Sequence, residues 1–155
     1  MANLSEVYFY HVTKQTVASA LPQLLAKSID VGWTVFIRGK DEASLKLFDD
    51  MIWTAQPESF IPHAVIGSQN EQKCDILLGT EENDSSNSDF LITVNGALIS
   101  REEISSYKRC AILFDDKNSD EMNIAREQWV EFTKADIRAK YWSQETGVWS
   151  LKREN

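Results

Sequence analysis

Two kinds of residue in this chain could do chemistry by type and position. His11 follows the aromatic run Val7–Tyr10, and active-site residues of α/β proteins gather just past strand ends. Acidic pairs occur at Asp49-Asp50, Glu81-Glu82, Glu102-Glu103 and Asp115-Asp116, and carboxylates of that kind can hold a hard cation. Asp115-Asp116 is the most suggestive pair because it closes an apolar, strand-like run. Each signal has a plainer counterpart. A lone His is more often hydrogen-bonded to its neighbours, and paired acids usually end strands and start helices in solvent. Cys74, Cys110, His11 and His63 are too scattered for a zinc site, and no CxxC or HxxxH spacing occurs. Both cysteines border apolar runs, as reduced core thiols do. No GxGxxG, GxxxxGK[ST] or GxSxG segment is present. Nothing assembles a nucleophile, a base and an oxyanion donor, so no cofactor and no metal are expected.

Binding chemistry is better represented. Arg126 and Trp129 stand three residues apart in a helical pattern and therefore share a face. A guanidinium beside an aromatic ring suits a peptide that ends in an apolar side chain and a free carboxylate. Residues 126–155 carry six basic and five acidic groups, whereas residues 1–125 carry ten and nineteen. The C-terminal fifth is thus the least repulsive place for an acidic peptide, with Lys134, Arg138 and Lys140 as a possible wider rim. The competing reading turns Trp129 and Phe132 to the core and leaves Arg126 in solvent; periodicity alone favours it. Trp53 and the loop Pro57–His63 form a second candidate. Pro57 and Pro62 stiffen the backbone around Phe60, which is either an anchor for a partner or a ring folded back onto its own core. His63 fits a hydrogen-bonding loop staple.

These residues need a scaffold. The chain has 155 residues, 43% hydrophobic and 26% charged, with a net charge of −8. That is one domain, residues 1–155, with enough apolar content for a core. The acidic balance disfavours direct nucleic-acid binding, although aromatics could stack on bases. No signal peptide and no membrane-spanning run are expected. Glu6–Val12 predicts a first strand. Thr16–Val31 predicts a helix, with Pro22 awkward inside it and Gly32 suited to a left-handed cap. Trp33–Arg38 predicts a strand buried on both faces. Asp41 predicts the cap of a second helix with Leu45, Phe48, Met51 and Ile52 inward. Further strands are expected at Asp75–Leu78, Phe90–Val94 and Arg109–Phe114. A short helix is expected at Arg101–Tyr107. A long one starts near Ser119 and runs through Ala135. The polar stretch Glu81–Asp89 predicts a loop. Tyr141, Trp142 and Trp149 are too apolar for a free tail; the pattern has them pin the tail to the domain, with VWSL as an edge strand or packed on the last helix. Alternating strands and helices predict an α/β class, a three-layer α/β/α sandwich with a mostly parallel sheet. It is nucleotide-binding-like but lacks a phosphate loop.

Two segments carry a family resemblance: IWTAQPESFIPHAV (52–65) and AREQWVEFTKADIRAKYWSQETGVW (125–149). Trp53 followed by Pro57, Ser59, Phe60, Ile61, Pro62 and His63, then Ala125, Arg126, Glu127 and Trp129, then Tyr141, Trp142, Gln144, Gly147 and Trp149, resemble the chi subunit of the bacterial DNA polymerase III clamp-loader complex. CDILLGT and RCAILFDD look like the family's third and fifth strands. The resemblance implies the same sandwich fold and a cytoplasmic, replisome-associated adaptor that is not an enzyme. It implies binding of the acidic C-terminal tail of single-stranded DNA-binding protein (SSB) at Arg126, Trp129, Lys134 and Trp142. It implies a second surface at Trp53, Phe60 and Pro62 for the psi subunit or another clamp-loader or helicase-like partner, with DNA reached only indirectly. The chain departs from the family where Lys is frequent after the helix aromatic, at Val130, and has Met122 one turn before Arg126. A small nucleotide- or metal-dependent enzyme using His11, Asp115 and Asp116 is the alternative that the fold class suggests.

Overall fold

The computed structural model describes residues 5–55, 63–66, 74–81, 88–144 and 147–154, with side chains in the second helix described as far as Ile52. The chain runs β1 (Glu6–Val12), α1 (Val17–Asp30), β2 (Val35–Arg38), α2 (Glu42–Ala55), β3 (His63–Val65), β4 (Ile76–Gly79) and β5 (Phe90–Thr93). A 3₁₀ turn (Ile104–Ser106), β6 (Arg109–Asp115), α3 (Ser119–Lys134), β7 (Arg138–Ser143) and β8 (Ser150–Glu154) follow. The strands form one sheet in the order β3-β4-β2-β5-β6-β1-β7-β8. Every pairing is parallel except β7 with β8.

Side-chain alternation along the strands builds two cores. Val35 and Ile37, Phe90 and Ile92, and Ala111 and Leu113 meet Leu21 and Leu25 of α1 and Leu45, Phe48 and Ile52 of α2. Phe36, Leu91, Cys110, Ile112 and Phe114 face the other way, toward Ala125 and Phe132 of α3. This is the expected three-layer sandwich. Central strands β2 and β5 are buried at every residue, which explains their unbroken apolar sequences.

Local signals place the helices. Thr16 caps α1 in a reciprocal pair with Ser19, and Gly32 ends it at φ +79°. Pro22 lies within the helix rather than in its first turn. Asn118 caps α3 by accepting from the Glu121 backbone N–H at 3.1 Å.

Several expectations need correction. The segment Arg101–Tyr107 forms only the 3₁₀ turn Ile104–Ser106. β3 and β7 were not foreseen. His63, expected in a loop, opens β3 and is buried, with Nε2 3.0 Å from the Asp49 carboxylate of α2. After α3 the chain reverses through Asp136 at φ +59°, and the aromatic tail becomes β7 beside β1. The edge strand expected at VWSL begins two residues later, at Ser150. Phe60 and Pro62 lie outside the described residues, as does most of the loop Glu81–Asp89.

Candidate functional site: a cavity between the last helix and the C-terminal hairpin

β1 alternates, so Phe9 and His11 face α3 while Tyr8 and Tyr10 face α1. In register, His11 stands beside Phe114 of β6, and Phe9 stands beside Tyr141 of β7. Against this strip lie Met122, Ala125, Arg126 and Trp129, successive positions on one face of α3. The result is a cavity of about 390 Å³, closed on its third side by Lys152 and Arg153 of β8.

The floor is aromatic. Phe9 meets Trp129 edge-on at 5.3 Å, and Trp129 meets Tyr141 at 6.2 Å and 87°. Such edge-to-face rings hold one another in fixed orientations. Tyr141 is fixed further by its hydroxyl, 2.5 Å from His11 Nδ1. The His11 ring stacks on Phe114 at 5.0 Å, and its Nε2 lies 2.7 Å from the Asp116 carboxylate. The two ring nitrogens link the Tyr141 hydroxyl on one side to the Asp116 carboxylate on the other, with Nε2–H the donor to Asp116. His11 and Asp116 thus brace a wall of the cavity.

The cations lie at the rim. Arg126 is exposed, and its guanidinium makes no ion pair or hydrogen bond among the described residues. It can therefore receive a carboxylate without first breaking a bond. Asp115 and Glu121 serve the β6–α3 junction instead. Glu121 accepts from the Asp115 backbone N–H at 3.1 Å, and Asp115 accepts from the Lys117 N–H at 2.9 Å. Burial raises the Glu121 carboxyl above its ordinary range. Among the described residues no group of three or more His, Cys, Asp or Glu could hold a metal ion. Cys110 is buried, which pushes its thiol up and leaves it unreactive.

The structure brings Arg126 and Trp129 together, as their spacing predicts. It does not bring the other two residues expected there. Lys134 ends α3 in solvent, outside the cavity lining. Trp142 points to the opposite face of β7, where it lines a separate cavity of about 370 Å³ with Tyr10, Trp33, Arg109 and Trp149. In that second cavity burial pushes the Tyr10 hydroxyl up to about 12. Arg138 and Lys140, the other basic residues expected at the rim, both lie near Glu6 of β1, at 3.7 and 3.4 Å. Trp53 falls in the last turn of α2; Phe60 and Pro62 are outside the described residues. Sequence reasoning missed Phe9, Phe114, Lys152 and Arg153. The alternation of EVYFYHV could have paired Phe9 with His11 on one face, but no local signal gives the neighbour strand.

The fold is thus a mostly parallel α/β sandwich, and between α3 and the C-terminal hairpin it carries an aromatic cavity with a cationic rim. A model of the DNA polymerase III chi subunit (HolC) matches residues 4–140. The chain belongs to that family and has an accessory role in DNA polymerase III. A comparison with curated proteins gave no match. Among the described residues no helix is long and apolar enough to cross a membrane.

Proposed function

We propose that the chain is a non-catalytic adaptor that binds the acidic C-terminal tail of SSB and links it to the clamp loader. The observation that carries this reading is the meeting of Arg126 and Trp129 in one aromatic, open cavity. The terminal carboxylate pairs with Arg126, and the last apolar side chain enters between Trp129, Phe9 and Tyr141. Burying one large apolar side chain is worth about 1.5–3 kcal/mol, and a charge-assisted hydrogen bond about as much. Together these suit micromolar affinity once association costs are met. Linkage to the clamp loader goes through psi, or a helicase-like partner, at Trp53, Phe60 and Pro62; the family resemblance alone supports that half.

Fluorescence anisotropy of a labelled SSB-tail peptide tests the reading. Wild-type protein binds in the micromolar range, and Arg126→Ala weakens binding by about 1–3 kcal/mol. Absence of binding at low salt, or an Arg126→Ala protein that binds like wild type, overturns it.

A further inference from the structure

The family match ends at residue 140, yet one wall of the cavity is built by residues beyond it, on β7 and β8. Helix α3 lacks basic side chains at two positions beside Arg126: Met122 lies one turn before it and Val130 one turn after. Opposite them stand two adjacent cations, Lys152 and Arg153. Neighbouring residues of a regular strand point to opposite faces, so only one of the two should reach the cavity. The β7–β8 ladder is not regular. Tyr141 pairs with Arg153, the next residue, Trp142, pairs with Leu151, and Lys152 is the extra residue of a bulge. A bulge re-aims side chains locally, and here both cations line the same cavity. Leu151 stays on the face of Trp142.

We infer that the bulged strand β8 supplies the cationic wall of the peptide site in this chain, across the cavity from Arg126 on α3. The inference rests on the proposed tail binding and deepens it. Arg126 on the helix takes the terminal carboxylate; Lys152 and Arg153 face the upstream acidic residues of the same peptide across the cavity. The division predicts two kinds of energetics. The direct pair at Arg126 is reinforced by burial of the peptide's apolar end, so it loses less with salt than attraction acting at longer range. Attraction between exposed cations and aspartates falls off within about 10 Å at 0.1 M salt, so it weakens steeply as salt rises.

The test uses the full chain and a fluorescein-labelled peptide of several aspartates ending in phenylalanine. Lys152→Glu/Arg153→Glu is compared with Lys134→Glu, a charge reversal outside the cavity, and with Arg126→Ala. Both β8 side chains are exposed, so reversal leaves the core untouched. The expected result is about tenfold weaker binding by the β8 variant at low salt, narrowing to within about twofold at about 0.3 M, with Lys134→Glu changed less than twofold. A β8 variant that binds like wild type while Arg126→Ala is impaired overturns this inference and leaves the tail-binding reading standing. A loss independent of salt also overturns it, because packing rather than charge was then removed. A wild-type chain that ignores the peptide overturns both.

Discussion

Arg38 shows how much a single buried charge depends on its partners. Its side chain is 7% exposed and lies 2.9 Å from Glu103 Oε1, 3.1 Å from Oε2 and 2.9 Å from the Leu98 carbonyl. The Ser100 N–H also donates to Glu103, at 2.7 Å. This pairing joins the C-terminal end of β2 to the segment that leads into β6, and it gives Glu103 a structural partner. Replacing one member strands the other. Arg38→Met is expected to cost about 2–3 kcal/mol, because Glu103 is left partly desolvated beside an apolar side chain. Arg38→Met/Glu103→Gln should cost less than Arg38→Met alone, since the amide oxygen can still accept from Ser100. Urea unfolding of the three proteins measures this, and an equal or larger loss in the double variant contradicts the account. The His11 brace is a second residue-scale case. His11→Phe keeps a flat ring against Phe114 but releases the Tyr141 hydroxyl. Weaker tail-peptide binding in an otherwise stable protein is the expected outcome, by about three- to tenfold, read by anisotropy.

Elements differ in how strongly their own residues define them. α3 starts where Asn118 caps it, so Asn118→Ala should lower stability by about 1 kcal/mol and show as a lower melting temperature. An unchanged melt would mean that packing of Ala125 and Phe132 alone fixes the helix start. The turn after β5 depends on Asn95 and Gly96, at φ +58° and +80°. A Cβ on Gly96 would come 3.2 Å from Ile124 Cδ1, so Gly96→Ala carries both backbone strain and crowding against α3. About 1–2 kcal/mol is expected, measured by the same melt. The well-defined elements were the ones legible in the sequence. Thr16, Gly32 and the apolar runs of β2, β5 and β6 are local signals that act over a few residues. β3 has three residues, too few for a pattern, and its His63 owes its place to Asp49 on another element. β7 mixes Ala139 and Tyr141 on one face with Lys140 and Trp142 on the other, and only its neighbour β1 shows which face is which. That explains the candidate site as well. The Arg126–Trp129 pair was readable because both lie on one helix. Trp142 was misplaced because its face depends on a strand pairing. Lys152 escaped notice because a bulge breaks the rule by which adjacent strand residues are assigned.

At the scale of the whole molecule, charge governs both stability and association. Burial raises the Glu103 carboxyl, but hydrogen bonds from Arg38 and Ser100 outweigh it and hold the group below its usual range. Asp89 is lowered first by the Thr34 backbone N–H, against slight burial, with help from Lys108. Both contribute stability that is complete above the ordinary carboxylate range and is lost as pH falls through their folded values. Glu121 works in the opposite sense: its raised value favours the folded chain at low pH and loses that contribution as pH rises. Asp41, lowered by the hydrogen bond from the Ser44 backbone N–H, acts in the same sense as Glu103 and Asp89. Three opposing one, the melting temperature should be level above about pH 5 and decline below about pH 4; a curve that rises on acidification would contradict it. The sheet's β8 side has a further consequence. Among the described residues β8 pairs with β7 on one side only, so its other side presents backbone donors and acceptors that a strand from another molecule could use. Lys152, Arg153 and Glu154 stand along that border, all exposed. Charged side chains there discourage edge-to-edge growth into a continuous intermolecular sheet, and the bulge at Lys152 twists the border away from flatness. The C-terminal strand proposed as the cationic wall of the peptide site would therefore also keep neighbouring copies of the protein apart, and neutralising its charges would relax that guard where reversing them would not.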